Sequence, residues 1–205
     1  PIYSNFGTIK SKQEACEALK LDANKKYILF FGLVRKYKGL DLLLEAFADI
    51  RLRHKNLILI VAGEFYEKQE IYTDLIEKLQ ISDSVIIRNE FIPQHEVCNY
   101  FSIADIVAQT YHTATQSGIT QIAYHFNKPM LVTNVGGLSE IVPHNQVGYV
   151  AEKNPTEIAN FLLDFFDNNR YTEFSLAVEK QKEKYSWKTF TEQMLLLFSH
   201  NKNKL

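Results

Sequence analysis

The chain has 205 residues, 46% of them hydrophobic and 23% charged, which suits one large globular domain with a core of useful size. Its 23 basic and 24 acidic side chains leave a formal net charge of −1, so no global basic field exists to hold nucleic acid or an anionic membrane. The two cysteines, Cys16 and Cys98, lie far apart without metal spacing, which implies reduced thiols rather than a disulfide framework or a metal site.

Residues 1–10 read as a linker. Ser11 and Glu14 have capping-box spacing for a short helix ending near Lys20. Lys26 to Phe31 is an apolar run stopped by Gly32 and reads as a buried strand. Residues 39–51 have helical spacing, with Leu40, Leu43, Leu44, Phe47 and Ile50 on one face. The alternation continues with strands at 57–61, 84–88, 105–108, 129–132 and 147–150. Helices are expected at 67–80, 94–103, 116–126, 137–142, 155–167, 171–184 and 187–199, with Trp187 anchoring the last.

This pattern predicts an α/β fold: a doubly wound parallel sheet of about six strands with helices on both faces, plus C-terminal helices. The domain is expected to span 11–168, with 169–205 as an appendage. Such sheets place ligands beyond the carboxyl ends of the strands, where the strand order reverses. No run approaches the roughly 20 apolar residues of a membrane-spanning helix. The start, Pro1 to Phe6, has neither region of a signal peptide and lacks a methionine, so an excised fragment or processed product is expected.

Three strand-end loops could carry chemistry. The first, Gly32 to Gly39, places Arg35, Lys36 and Lys38 beside a helix expected to open at Gly39. Helix amino ends favour anions, a guanidinium adds a bidentate donor and an ammonium a point charge. A diphosphate site and a solvated basic loop fit this spacing equally. The second, Thr113 to Gly118, crowds Thr115, Gln116, Ser117 and Gly118 at a helix start, which is a phosphate edge or simply a capped helix. In the third, Gly136 and Gly137 open a short helix with amides expected to point outward. There Glu140 either accepts bonds from sugar hydroxyls or ties down local structure. His54, His144 and His200 read as surface residues, while His112 lies near the second loop. No nucleophilic triad or pair of catalytic acids can be assigned.

The ordered motifs Gly32…Arg35…Lys38-Gly39, Val61-Ala62-Gly63, Ala104-Asp105-Ile106, Lys128-Pro129, Gly136-Gly137-Leu138-Ser139-Glu140 and Gly148-Tyr149-Val150 together resemble a known family. They are similar to the carboxyl-terminal domain of group 1 retaining glycosyltransferases of the GT-B fold, over residues 25–200. The resemblance implies a Rossmann-like domain binding a nucleotide-diphosphate sugar. Arg35 and Lys38 would grip the diphosphate as the catalytic pair, with Gly32, residues 115–118, Gly136 and Gly137 around the donor. It implies no cofactor and no metal. It also implies that an absent amino-terminal domain binds a glycan or lipid acceptor and mediates any peripheral membrane association. Residues 1–7 resemble the end of the interdomain linker, and the terminal helices resemble those crossing back toward the missing half.

Cell-surface polysaccharide synthesis, in the cytoplasm or at the inner face of the membrane, is the expected setting. The fragment alone is expected to bind donor without turnover. One departure stands out: Ala114 and Ile122 occupy the positions of the two glutamates, eight apart, that many relatives carry. Gln116 and Gln121 are nearby polar substitutes, with Gln121 a candidate to hold the ribose in place of the second acid. This leaves a rival reading as a binding module with a degenerate donor site. A phosphosugar enzyme such as an epimerase would need a general base that the sequence does not reveal.

Overall fold

The structure, a computed structural model, describes residue 2, residues 5–53 and residues 55–202, the side chains of 197–202 excepted. The readings of His54 and of the His200 side chain lie outside the described residues, as do residues 1, 3 and 4 of the linker and 203–205 at the other end.

Six strands, β1 (Lys26–Phe31), β2 (Leu57–Ala62), β3 (Val85–Arg88), β4 (Ile106–Gln109), β5 (Met130–Thr133) and β6 (Gly148–Ala151), form one sheet in the order β3-β2-β1-β4-β5-β6. Every pairing is parallel. The central strands are continuous apolar runs because both faces are covered. Ile28 and Phe30 enter one core layer, and Tyr27, Leu29 and Phe31 enter the other. The helices α2 (Leu40–Phe47), α3 (Glu70–Lys78) and α7 (Pro155–Asp167) fill the first layer. The helices α1 (Lys12–Leu19), α4 (Val97–Ile103), α5 (Gly118–His125) and the short α6 (Leu138–Ile141) fill the second. The chain winds outward from β1 to β3, then returns to lay β4 against the other side of β1. The strand order therefore reverses between β1 and β4, and a crevice opens there beyond their carboxyl ends.

The expected capping box is present: Ser11 receives the Glu14 amide, and the Glu14 carboxylate receives the Ser11 amide. Several helices are shorter than their periodicity suggests. The second stops at Phe47 because Asp49 takes the Arg51 amide in a local turn, which leaves Ile50 exposed rather than on the buried face. The fifth begins at Gly118 rather than 116, because Ser117 is extended and caps the Ile119 amide.

Of the two terminal helices, α8 (Tyr171–Gln181) is bound into the core through Phe174 and Val178, so it is no appendage. It continues as a 3-10 turn, Lys182–Tyr185, into α9 (Trp187–Lys202). Trp187 is 61% exposed, with its ring edge-on to Phe190 on the same helix, so it does not anchor α9 as expected.

Candidate functional site

Three loops meet over the crevice, and backbone contacts stitch them together. The loop after β1 is joined to the loop after β4 by the His112 amide donating to the Tyr37 carbonyl at 2.7 Å. The Thr110 hydroxyl donates to the Gly39 carbonyl, also at 2.7 Å. Gly39 does not open α2 in helical conformation; it is left-handed (φ 63°), and a β-carbon there would lie 1.9 Å from the Thr110 carbonyl oxygen. The loop after β5 is held as tightly: at Gly136 (φ 51°) a β-carbon would lie 1.7 Å from the Ala114 carbonyl oxygen. The Gly137 amide donates to the Thr115 carbonyl at 3.0 Å, so it does not point outward as expected. These glycines shape the second loop rather than lining the cleft beside it.

Lys38 is only 8% exposed and lines a cleft of about 550 Å³ with Tyr37, Tyr111 and residues 113–119. Its ammonium lies 5.7 Å from the Tyr111 ring centre. No carboxylate stands within ion-pair distance of it among the described residues. Burial, and then the nearby charge of Arg35, push Lys38 down to about 8. On the same cleft, Thr115, Gln116 and Gly118 are exposed, and the amides of residues 115–118 donate to no acceptor among the described residues. The Ser117 hydroxyl is occupied by Tyr111 and by the Ile119 amide. A buried cation in a cleft that also holds such amides is suited to an anion.

Arg35 does not share this cleft. Its guanidinium lies 4.2 Å from the centre of the Tyr66 ring, which draws it into an adjoining hollow of about 950 Å³. Tyr37 and Thr113 line both spaces and form the wall between them. Lys38 thus lines one space and Arg35 the space adjoining it, with Tyr37 and Thr113 common to both, and the two cations are near enough for Arg35 to lower Lys38. The Arg35 Nε is buried with no acceptor. In the same hollow, His112 Nε2 lies 2.9 and 3.0 Å from the two Asp41 carboxylate oxygens.

Gly32 lines a third, smaller hollow of about 150 Å³ with Leu33, Glu64, Glu90 and the exposed Phe91. Gln121 is half-buried on α5, its side-chain oxygen unpaired, and it lines none of these three spaces. Glu140 is exposed and lines none of them either. Ile122 is 6% exposed and belongs to the core, so it cannot present a polar group. Sequence reasoning missed Tyr37, Tyr66, Tyr111 and Asp41; aromatic residues following strand ends were the available signal. The described residues hold no group of three histidine, cysteine or acidic side chains placed for a metal ion. None of their helices is long and apolar enough to cross a membrane.

Comparison with known proteins gives a consistent result. The family model for glycosyl transferases group 1 matches residues 11–185. A D-inositol 3-phosphate glycosyltransferase of Corynebacterium urealyticum is 24% identical over 200 residues, covering 94% of this chain and 47% of that protein. An uncharacterized glycosyltransferase, MJ1607 of Methanocaldococcus jannaschii, is 27% identical over 178 residues, covering 85% and 45%. The chain thus spans about half the length of these curated relatives. Among solved structures, the C-terminal domain of a glycosyl transferase group 1 family protein (LpcC) from Francisella tularensis superposes with a TM-score of 0.77 at 19% identity, covering 89% of this chain and 97% of that one. Anabaena Alr3699/HepE in complex with UDP gives a TM-score of 0.77 at 20% identity, covering 92% and 52%. At these identities the structural likeness speaks for the fold.

Proposed function

The chain belongs to the group 1 glycosyl transferases, and from that premise we propose that it is the donor-binding half of a retaining enzyme that moves a hexose-type sugar from a nucleotide diphosphate to a glycan, lipid or other acceptor. The observation carrying this reading is the Lys38 ammonium, buried without a carboxylate partner among the described residues in a cleft that residues 115–118 also line. As the bond between the anomeric carbon and the phosphate oxygen breaks, the diphosphate leaves with the electron pair. Positive groups fixed where that charge develops lower the barrier. Arg35 would join them by rotating away from Tyr66. The acceptor hydroxyl would attack from the leaving-group face and pass its proton to a phosphate oxygen. With protein cations in this role, the reaction needs no metal. The Anabaena structure of the same fold is a complex with UDP, which favours a uridine nucleotide as the first to test.

The acceptor, and any hold on the inner face of a membrane, belong in this proposal to an amino-terminal half. Cell-surface polysaccharide synthesis in the cytoplasm is the setting proposed. Ala114 and the buried Ile122 favour one rival, a binding module whose donor site no longer works. Calorimetric titration with UDP, GDP and their sugar conjugates, in the presence of a chelator, separates the two. Metal-independent binding of at least one supports the transferase reading, and silence across the panel supports the rival.

A further inference from the structure

At the opposite end of the sheet, before β4 and β5, a pocket of about 300 Å³ is lined by Lys10, Lys12, Ser102, Asp105, Lys128 and Tyr171, among others. Lys128 is only 4% exposed, yet no carboxylate lies within ion-pair distance of it among the described residues. Its ammonium donates to the Ser102 carbonyl and to the Tyr171 hydroxyl, each at 3.1 Å. Both acceptors are neutral, and the ammonium lies 5.3 Å from the centre of the Tyr171 ring. Capping the end of α4 through Ser102 accounts for one donor, and among the described residues the charge is met by a tyrosine ring and neutral oxygens rather than by a carboxylate.

The surroundings add to the imbalance. Lys10 is held to Asn99 Oδ1 at 2.7 Å, so its ammonium too is paired with a neutral group. Lys182 donates to Asn127 Oδ1, again at 2.7 Å, and Asn127 lines the pocket. The one lining carboxylate, Asp105, is already committed to the Tyr27 amide at 2.6 Å and to Lys12 at 3.2 Å. Lysines thus outnumber carboxylates around a recess that ends on a buried ammonium.

We propose that this pocket binds a compact oxyanion of the phosphate or phosphomonoester class, held by Lys128 at its floor and by Lys10 and Lys12 at its mouth. Because Tyr171 and Ser175 line the pocket from α8, the anion fastens this helix to the sheet. The site is independent of the donor cleft.

The test is a 15N–1H NMR titration with inorganic phosphate at constant ionic strength, against a chloride control, in the Arg35→Ala/Lys38→Ala variant. That background weakens anion binding at the donor cleft, so failure of the donor reading leaves this result intact. Saturable shifts at the amides of residues 102–105, 127, 128 and 171 are expected. Lys10→Gln/Lys12→Gln, which spares the buried lysine, should weaken them about fivefold or more, the scale of charge-assisted hydrogen bonds. A second arm uses phosphatidylcholine vesicles containing phosphatidic acid: sedimentation that depends on Lys10 and Lys12 identifies a lipid headgroup as the source, and phosphate binding without sedimentation identifies a free anion. Shifts no larger than those with chloride, together with no lysine-dependent sedimentation, overturn the proposal. Shifts that ignore the lysine substitutions do the same.

Discussion

The Lys38 ammonium lies 3.2 Å from the point where a β-carbon on Gly32 would stand. The turn after β1 therefore leaves that space to a cation. Gly32→Ala would displace Lys38 or the Ile119 side chain, also 3.2 Å away, and would strain a backbone at φ 93°. We expect a stability loss of about 1–3 kcal/mol and a clear loss of UDP affinity, read by thermal unfolding and calorimetry. Unchanged affinity would mean that Lys38 is not held for the donor.

The depressed Lys38 sets a pH dependence. A diphosphate is gripped by the ammonium and not by the amine, so UDP affinity should fall as pH rises through about 8. Stability should move the other way. The folded value lies below the ordinary 10.5, so the unfolded chain binds more protons between about 8 and 10.5, and stability rises across that window. Lys38→Arg, charged throughout, should flatten the binding profile. Calorimetry and unfolding curves at stepped pH check both signs.

Arg35 and Tyr66 give opposite expectations. Arg35→Ala removes a charged donor and should weaken UDP binding about tenfold or more. Tyr66→Ala frees the guanidinium from a ring contact of about 0.5–1 kcal/mol, so binding should tighten by about two- to fivefold. Equal losses in both variants would indicate that the nucleotide also needs the ring.

Gly136→Ala tests the stitching of the loops. A β-carbon 1.7 Å from the Ala114 carbonyl forces residues 113–117 to move. Donor affinity should collapse although residue 136 does not line the cleft. Amide shifts in residues 113–118 would follow the displacement, and wild-type affinity would refute the coupling.

The strands were legible because most are short apolar runs such as Leu57–Ala62, buried between two helix layers, while the edge strand Val85–Arg88 is only half-buried yet still apolar over its first three residues. The strand-end loops were legible as positions for the same reason. Helix ends were not, because side-chain turns set them: Asp49 with Arg51, and Ser117 with Ile119. Within the site, periodicity cannot say that Lys38 turns inward while Arg35 is captured by Tyr66, a contact between loops about 30 residues apart. Nor does it show that Gln121 lines none of the three spaces or that Gly137 spends its amide on Thr115.

The most direct measurement compares UDP affinity for the wild-type chain and for Lys38→Met under chelation, with unfolding curves showing both proteins folded. Loss of about tenfold or more, from removing one buried charged donor, is the predicted result. Equal affinity in the folded variant would contradict the assignment of this cleft to the diphosphate.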